Sequence, residues 1–188
     1  DKEDSYCFVR DFVGTVAEAG CTVFIAHARN AWLKGLSPKE NREIPPLRYE
    51  IVHQLKRDFP GLTIVLNGGL QGNDEIAEQL KHVDGVMLGR EAYHNPWLMA
   101  EWDARFYAGE PGAAAPDRDR VEAAMVAHME LLIDRHGTPW SHAARHMLGL
   151  RHGQAGSRRW RQVWSDHRLK ADHPRAVSEL ARAALAPA

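Results

Sequence analysis

Three short runs rich in β-forming residues constrain the fold more than any other feature of this chain: Cys21-Thr-Val-Phe-Ile-Ala26, Leu62-Thr-Ile-Val-Leu66 and Asp84-Gly-Val-Met-Leu88. Continuous apolar runs of this length are predicted to be strands buried on both faces, as in a parallel sheet. Each follows a helical pattern. Phe8, Val9, Phe12, Val13 and Val16 recur at helical spacing within residues 4–19, and Gly20 ends that helix. Pro46 opens a second helix with Leu47, Ile51, Val52, Leu55 and Phe59 on one face, and Pro60-Gly61 breaks it. A shorter helix is predicted over 73–81, and residues 28–45 read as a long polar loop. Helix and strand alternating three times predicts a parallel sheet with crossover helices.

After Tyr107 the texture changes. Gly109-Glu-Pro-Gly-Ala-Ala-Ala-Pro116 reads as a linker. Beyond it helices are predicted over 118–135, 140–150, 157–168 and 173–185, forming a small all-α domain. The expected division is 1–108, a linker at 109–117, and 118–188. With 188 residues, 44% apolar and 26% charged, the chain can fill one sizeable core or two small ones. No apolar run approaches the roughly 18 residues of a membrane span, and no signal peptide is read. Cys7 and Cys21 form no CxxC pair, so both are expected to be buried small apolar residues of a cytoplasmic protein. The chain opens on Asp1 and its first methionine is Met87, so it is expected to lack an N-terminal part of the natural protein.

The residues after each run share a chemistry. The first is followed by His27-Ala-Arg29, the second by Asn67-Gly68-Gly69 and the third by Gly89-Arg90. In parallel α/β folds ligands bind at the C-terminal strand ends. Glycines there let backbone N–H groups approach phosphate oxygens, and an arginine adds a charge-assisted clamp. Each element has a bland alternative: a tight turn, a solvated helix start, a hydrogen-bonded histidine. Found together after consecutive strands, they favour a phosphate-bearing cofactor.

The loop His27-Ala-Arg-Asn-Ala-Trp-Leu-Lys-Gly-Leu-Ser-Pro-Lys-Glu-Asn-Arg42 resembles the signature loop of the bacterial tRNA-dihydrouridine synthase A family. Similar to that family are also Asn67-Gly68-Gly69, Val83-Asp-Gly-Val-Met-Leu-Gly-Arg90 with its Ala-Tyr-His-Asn-Pro96 tail, and Arg145-His-Met-Leu-Gly-Leu150, all colinear between Asp4 and Trp164. The resemblance implies the C-terminal portion of an FMN-binding (β/α)8 TIM barrel followed by a helical tRNA-binding domain. It implies a cytoplasmic enzyme, monomeric when complete, that uses NADPH to reduce its flavin and the flavin to reduce a uridine of the tRNA D-loop to 5,6-dihydrouridine. By the same resemblance His27 contacts the flavin; Asn67, Gly68, Gly69, Gly89 and Arg90 hold the FMN phosphate end; Lys39 and Arg42 touch tRNA. Asn30 stands where the family usually has lysine, which puts one cationic contact in doubt. The family's catalytic cysteine is expected upstream of residue 1, and neither Cys7 nor Cys21 matches it. A (β/α)8 barrel needs about 250 residues, so the chain alone is expected to be inactive, with inner barrel side chains exposed and a tendency to aggregate.

From Ser141 to Lys170 seven cations (Arg145, Arg151, Arg158, Arg159, Arg161, Arg168, Lys170) face one acid, Asp166, on a chain whose net charge is −1. Such a patch points to a polyanion. Within it Arg158 and Arg161 share one helical face, and Trp160 and Trp164 another. The division read from this is arginines to phosphates and tryptophans to the core, against a solvated basic face with no partner; with the family resemblance, contact with the tRNA backbone is preferred. His142 and His146 have a spacing that can bind zinc, but no third ligand follows, so no metal is assigned. Two other classes stay open: a non-catalytic RNA-binding fragment, and a different FMN- or phosphate-binding TIM-barrel enzyme.

Overall fold

The structure, a computed structural model, describes residues 6–32, 34–107 and 117–186. The chain divides into two compact units, Asp1–Gly89 and Arg90–Ala188. The predicted linker Gly109–Pro116 lies outside the described residues.

The first unit runs α1 (Tyr6–Glu18), β1 (Val23–His27), a 3-10 turn (Glu40–Arg42), α2 (Tyr49–Asp58), β2 (Thr63–Asn67), α3 (Asn73–Gln79) and β3 (Gly85–Met87). The strands form one parallel sheet in the order β1-β2-β3. Val52 and Leu55 of α2, Ile64 and Leu66 of β2, and Ile76 of α3 form its core with Leu70 and Val83. These residues occupy one face of the sheet, because side chains alternate along a strand.

The other face is open. Val23, Ile25 and Met87 are 55%, 59% and 43% exposed. This corrects the expectation that the first run is buried on both faces: β1 is covered on one side only. The apolar face predicted for α1 is also only partly covered. Val13 is buried, while Phe8 and Phe12 stand exposed. Cys7 is exposed as well and Cys21 half-buried, contrary to the expectation of two buried thiols. The Phe59 ring lies against Gly14, where an added Cβ would sit 3.6 Å from it.

Asp84 fastens the entry to β3. Its carboxylate accepts the Ile64 N–H at 2.8 Å and pairs with Lys56 Nζ at 2.8 Å. The Lys56 bond first, and the Ile64 N–H second, hold the Asp84 carboxyl below its ordinary range. A carboxyl depressed on folding stabilises above its unfolded pKa, and that contribution is lost as pH falls through the folded value. The first unit is therefore expected to lose stability progressively below about pH 4. Asp84→Asn should flatten that limb of a melting-temperature profile; superimposable profiles would contradict the assignment.

The second unit contains α4 (Arg90–His94), a 3-10 stretch (Pro96–Glu101), α5 (Trp102–Phe106), α6 (Arg118–His136), α7 (Ser141–Ala144), α8 (Ser157–Trp164), a 3-10 turn (His167–Leu169) and α9 (Pro174–Ala183). Asp117 caps α6 by accepting the Asp119 N–H, and Gly137, at φ 61°, ends it in the left-handed conformation favoured at helix C-termini. The predicted helix over 140–150 is shorter than expected. After Ala144 the chain tightens into turns, with His146 N–H to Ala143, Met147 to Ala144 and Leu150 to Met147 carbonyls. Gly149 passes so close to α4 that a Cβ there would lie 2.3 Å from the His94 carbonyl oxygen.

Val126 and Met129 of α6, Trp140, Ala144, Met147, Leu150, Trp160, Trp164 and Val177 build the core of this unit. Trp164 packs edge-on against Trp140 and Trp160, with centroids 5.6 and 6.3 Å apart. At its centre lies Glu122, fully buried. Glu122 Oε1 accepts Trp160 Nε1 at 3.1 Å, Trp164 Nε1 at 3.3 Å and Ser178 Oγ at 3.2 Å. Its Oε2 accepts Arg151 Nη2 at 2.7 Å and Nε at 3.3 Å.

Candidate functional site

The parallel register places the C-terminal residues of the three strands side by side: His27 is paired with Asn67, and Asn67 with Met87. All three belong to the open face, above a second row of Ile25, Val65 and Gly85. The chain leaves β2 through Gly68 and Gly69, at φ 129° and 73°. The left-handed region favours glycine, and both positions lie close to neighbouring side chains. A Cβ on Gly68 would lie 3.0 Å from the His27 ring, and one on Gly69 2.5 Å from Leu47 Cδ1. The Tyr49 hydroxyl donates to the Gly68 carbonyl at 2.9 Å and fixes the turn from α2; burial raises the Tyr49 pKa above its ordinary value, with Glu75 adding to it. Among the described residues no atom lies within 4 Å of a Cβ added at Gly89. His27, Asn67, Gly68, Gly69 and Gly89 thus stand at one end of one sheet. Arg90 follows Gly89 directly and opens α4 of the second unit.

The loop after β1 is closed on itself. Arg48 N–H donates to the Ala28 carbonyl at 2.8 Å. Arg29 Nη1 donates to the Glu43 carbonyl at 3.1 Å and to that of Pro45. Asn41 exchanges two bonds with the Trp32 backbone, accepting its N–H at 2.7 Å and donating to its carbonyl at 2.9 Å. Ser37 and Glu40 form a reciprocal capping box: Ser37 N–H to Glu40 Oε2 at 2.8 Å, Glu40 N–H to Ser37 Oγ at 3.3 Å. Lys39 and Arg42 project from this turn and are exposed. The Ser-x-x-Glu spacing signals the box in sequence; no local pattern announces Tyr49, Arg29 or Asn41, whose partners named here lie between 9 and 19 positions away along the chain.

The structure also sorts the basic segment. Arg151 is buried and spends its charge on Glu122 and Asp119. Arg168 pairs with Asp166 at 2.7 Å, Arg159 donates to the Ala186 carbonyl at 2.5 Å, and Arg145 Nε donates to His146 Nε2 at 3.1 Å. Counting Arg151 in an accessible patch was therefore an overestimate. Arg158 and Arg161 lie exposed on α8, on the side away from the buried Trp160 and Trp164. Among the described residues no three His, Cys, Asp or Glu side chains gather so as to hold a metal ion, and no helix is long and apolar enough to cross a membrane.

A parallel sheet whose C-terminal strand ends carry an imidazole, a carboxamide and a diglycine turn makes this unit an α/β fold, a class in which ligands bind at that end of the sheet. Residues 1–186 match the family model described as dihydrouridine synthase (Dus). The chain is 54% identical over 184 residues to the tRNA-dihydrouridine(20/20a) synthase of Pseudomonas putida, covering 95% of this chain and 52% of that protein. It is 50% identical over 185 residues to the Salmonella typhi protein of that name, covering 96% and 54%, and 47% identical over 188 residues to that of Yersinia pestis, covering 100% and 54%. The chain belongs to the dihydrouridine synthase family. It spans about half the length of the curated relatives it matches.

Proposed function

We propose that this chain is the C-terminal part of an FMN- and NADPH-dependent tRNA-dihydrouridine synthase, with residues 1–108 a portion of a TIM barrel and 118–188 a tRNA-binding domain. The observation that carries the cofactor reading is the row His27–Asn67–Met87 at one sheet end, continued by Gly68-Gly69 and by Gly89. The buried Arg29 Nε, which has no hydrogen-bond partner among the described residues, supports a polar ligand near this loop. When bound, the flavin supplies the hydride that reduces a D-loop uridine and is itself reduced by NADPH. His27 orients the flavin from the open face. Asn67, Gly68, Gly69, Gly89 and Arg90 bind its phosphate end, where backbone N–H groups and a guanidinium favour negative charge. Lys39 and Arg42 on the closed loop, and Arg158 and Arg161 on α8, hold tRNA phosphates.

Two measurements test this. The protein containing this chain in its full natural length should purify with a flavin absorbance band that His27→Ala with Arg90→Ala reduces; an intact band in that variant would remove these residues from the cofactor site. Arg158→Ala with Arg161→Ala should weaken tRNA binding and lower the salt slope by about two, roughly one per lost phosphate contact. An unchanged slope would reassign α8 to a solvated face.

A further inference from the structure

Within the second unit, a cavity of about 360 Å³ opens between the turn at Trp140 and the end of α8. Its lining includes Trp140, His142, Arg145, Trp164, Ser165 and Lys170. Trp140 is 3% exposed and packs edge-on against Trp164, yet its Nε1–H has no hydrogen-bond partner among the described residues. A buried donor left unpaired costs about 1–3 kcal/mol, so an acceptor brought within reach by a small shift of the indole would be favoured there. The Lys170 and His142 side chains make no hydrogen bond or ion pair among the described residues, and both are exposed. Asp166 also lines the cavity, but Arg168 engages both its oxygens, Nε at 3.1 Å and Nη2 at 2.7 Å. That pairing, with the Arg168 N–H, holds the Asp166 carboxyl down to about 2 and leaves Lys170 and Arg145 uncompensated by it. The site therefore combines an aromatic wall, an unfilled N–H donor, two cations and the Ser141 and Ser165 hydroxyls. Its volume is near the lower end of small-ligand sites, roughly 300–1,000 Å³.

We propose that this cavity seats one phosphodiester-linked nucleotide of a bound RNA strand, with Lys170 and Arg145 on the phosphate and the Trp140 indole N–H as a further donor. The inference rests on the tRNA reading of this unit and adds to the exposed arginines of α8 a recessed seat that fixes the strand's position. Phosphate contacts set register on a nucleic acid, and a concave contact does so more sharply than a flat basic face.

The indole N–H resonances of the isotopically labelled chain provide the test, with Trp140→Phe, which keeps a ring and removes the N–H, assigning the Trp140 signal. A short single-stranded oligoribonucleotide should move that signal downfield, and Lys170→Gln should weaken its binding roughly tenfold, the loss of one charged hydrogen bond. Because Lys170 is exposed, that variant should fold like the parent, which its thermal melt checks. If the RNA binds while the Trp140 signal stays in place and Lys170→Gln is silent, the seat is wrong and the tRNA reading stands. If neither the oligoribonucleotide nor intact tRNA binds the chain, both fall. Inorganic phosphate shifting the signal as strongly as RNA at equal concentration would make this a free-anion site and overturn the nucleotide assignment.

Discussion

Glu122→Ala is expected to destabilise the second unit by about 3–5 kcal/mol, the usual cost of removing one partner of a buried ion pair. Against a total stability of about 5–15 kcal/mol for a typical domain, this is enough to unfold much of the population. Glu122 is fully buried and is the shared acceptor for Arg151, Trp160, Trp164 and Ser178. Truncation leaves Arg151 with Asp119 as its remaining carboxylate and strands two indole N–H groups inside the core at once. Glu122→Gln is the informative companion. Its amide presents NH2 either to the indoles and Ser178 or to Arg151, so a donor meets donors in both orientations. Denaturant melts followed by tryptophan emission measure the effect, with Arg158→Ala, an exposed site, as a control within about 0.5 kcal/mol of the parent. A Glu122→Ala protein melting like that control would show that the carboxylate does not organise the core.

Gly149→Ala is expected to cost about 3 kcal/mol, the upper part of the range for overpacking. A methyl group there would lie 2.3 Å from the His94 carbonyl oxygen and 2.8 Å from both the His94 carbonyl carbon and Pro96 Cδ. None of these is the far end of a flexible side chain, so the turn or the end of α4 must move. Gly61→Ala supplies the contrast, since a methyl there meets nothing within 4 Å. Comparing urea midpoints of the two variants isolates the steric effect from the general effect of replacing a glycine. Equal midpoints would mean that the approach to His94 relaxes at little cost.

The order of strands and helices in the first unit was legible because β-branched runs ending in small polar residues differ clearly from the 3.6-residue patterns around them. The co-location of His27, Asn67 and the diglycine turn followed from the parallel order. Which face of β1 is covered could not be read, because a continuous apolar run looks the same with one face packed or two. The exposed Cys7 and Phe12 illustrate the same limit for α1. In the second unit the helical spacing of Trp160 and Trp164 pointed to their burial. Arg151 misled, since spacing and charge count do not reveal that a cation's partner is a glutamate 29 positions away. Glu122 was missed for that reason: its donors come from segments 29 to 56 residues along the chain. No periodicity encodes the turns that follow Ala144 or the close backbone approach of Gly149 to His94.

The described part of the loop between Ala28 and Arg48 is held in shape by its own bonds. Holding a residue's backbone in one conformation costs about 1–2 kcal/mol, and here the Arg48–Ala28, Arg29–Glu43, Ser37–Glu40 and Asn41–Trp32 bonds have met that demand before a partner comes near. Immobilising a long exposed side chain at the tip, such as Lys39, costs roughly a further 0.5–1.5 kcal/mol. Were Lys39 and Arg42 to hold tRNA phosphates as proposed, capture by this loop would be quick and would leave the surrounding main chain unmoved, so that its speed would respond to ionic strength rather than to chain stiffness.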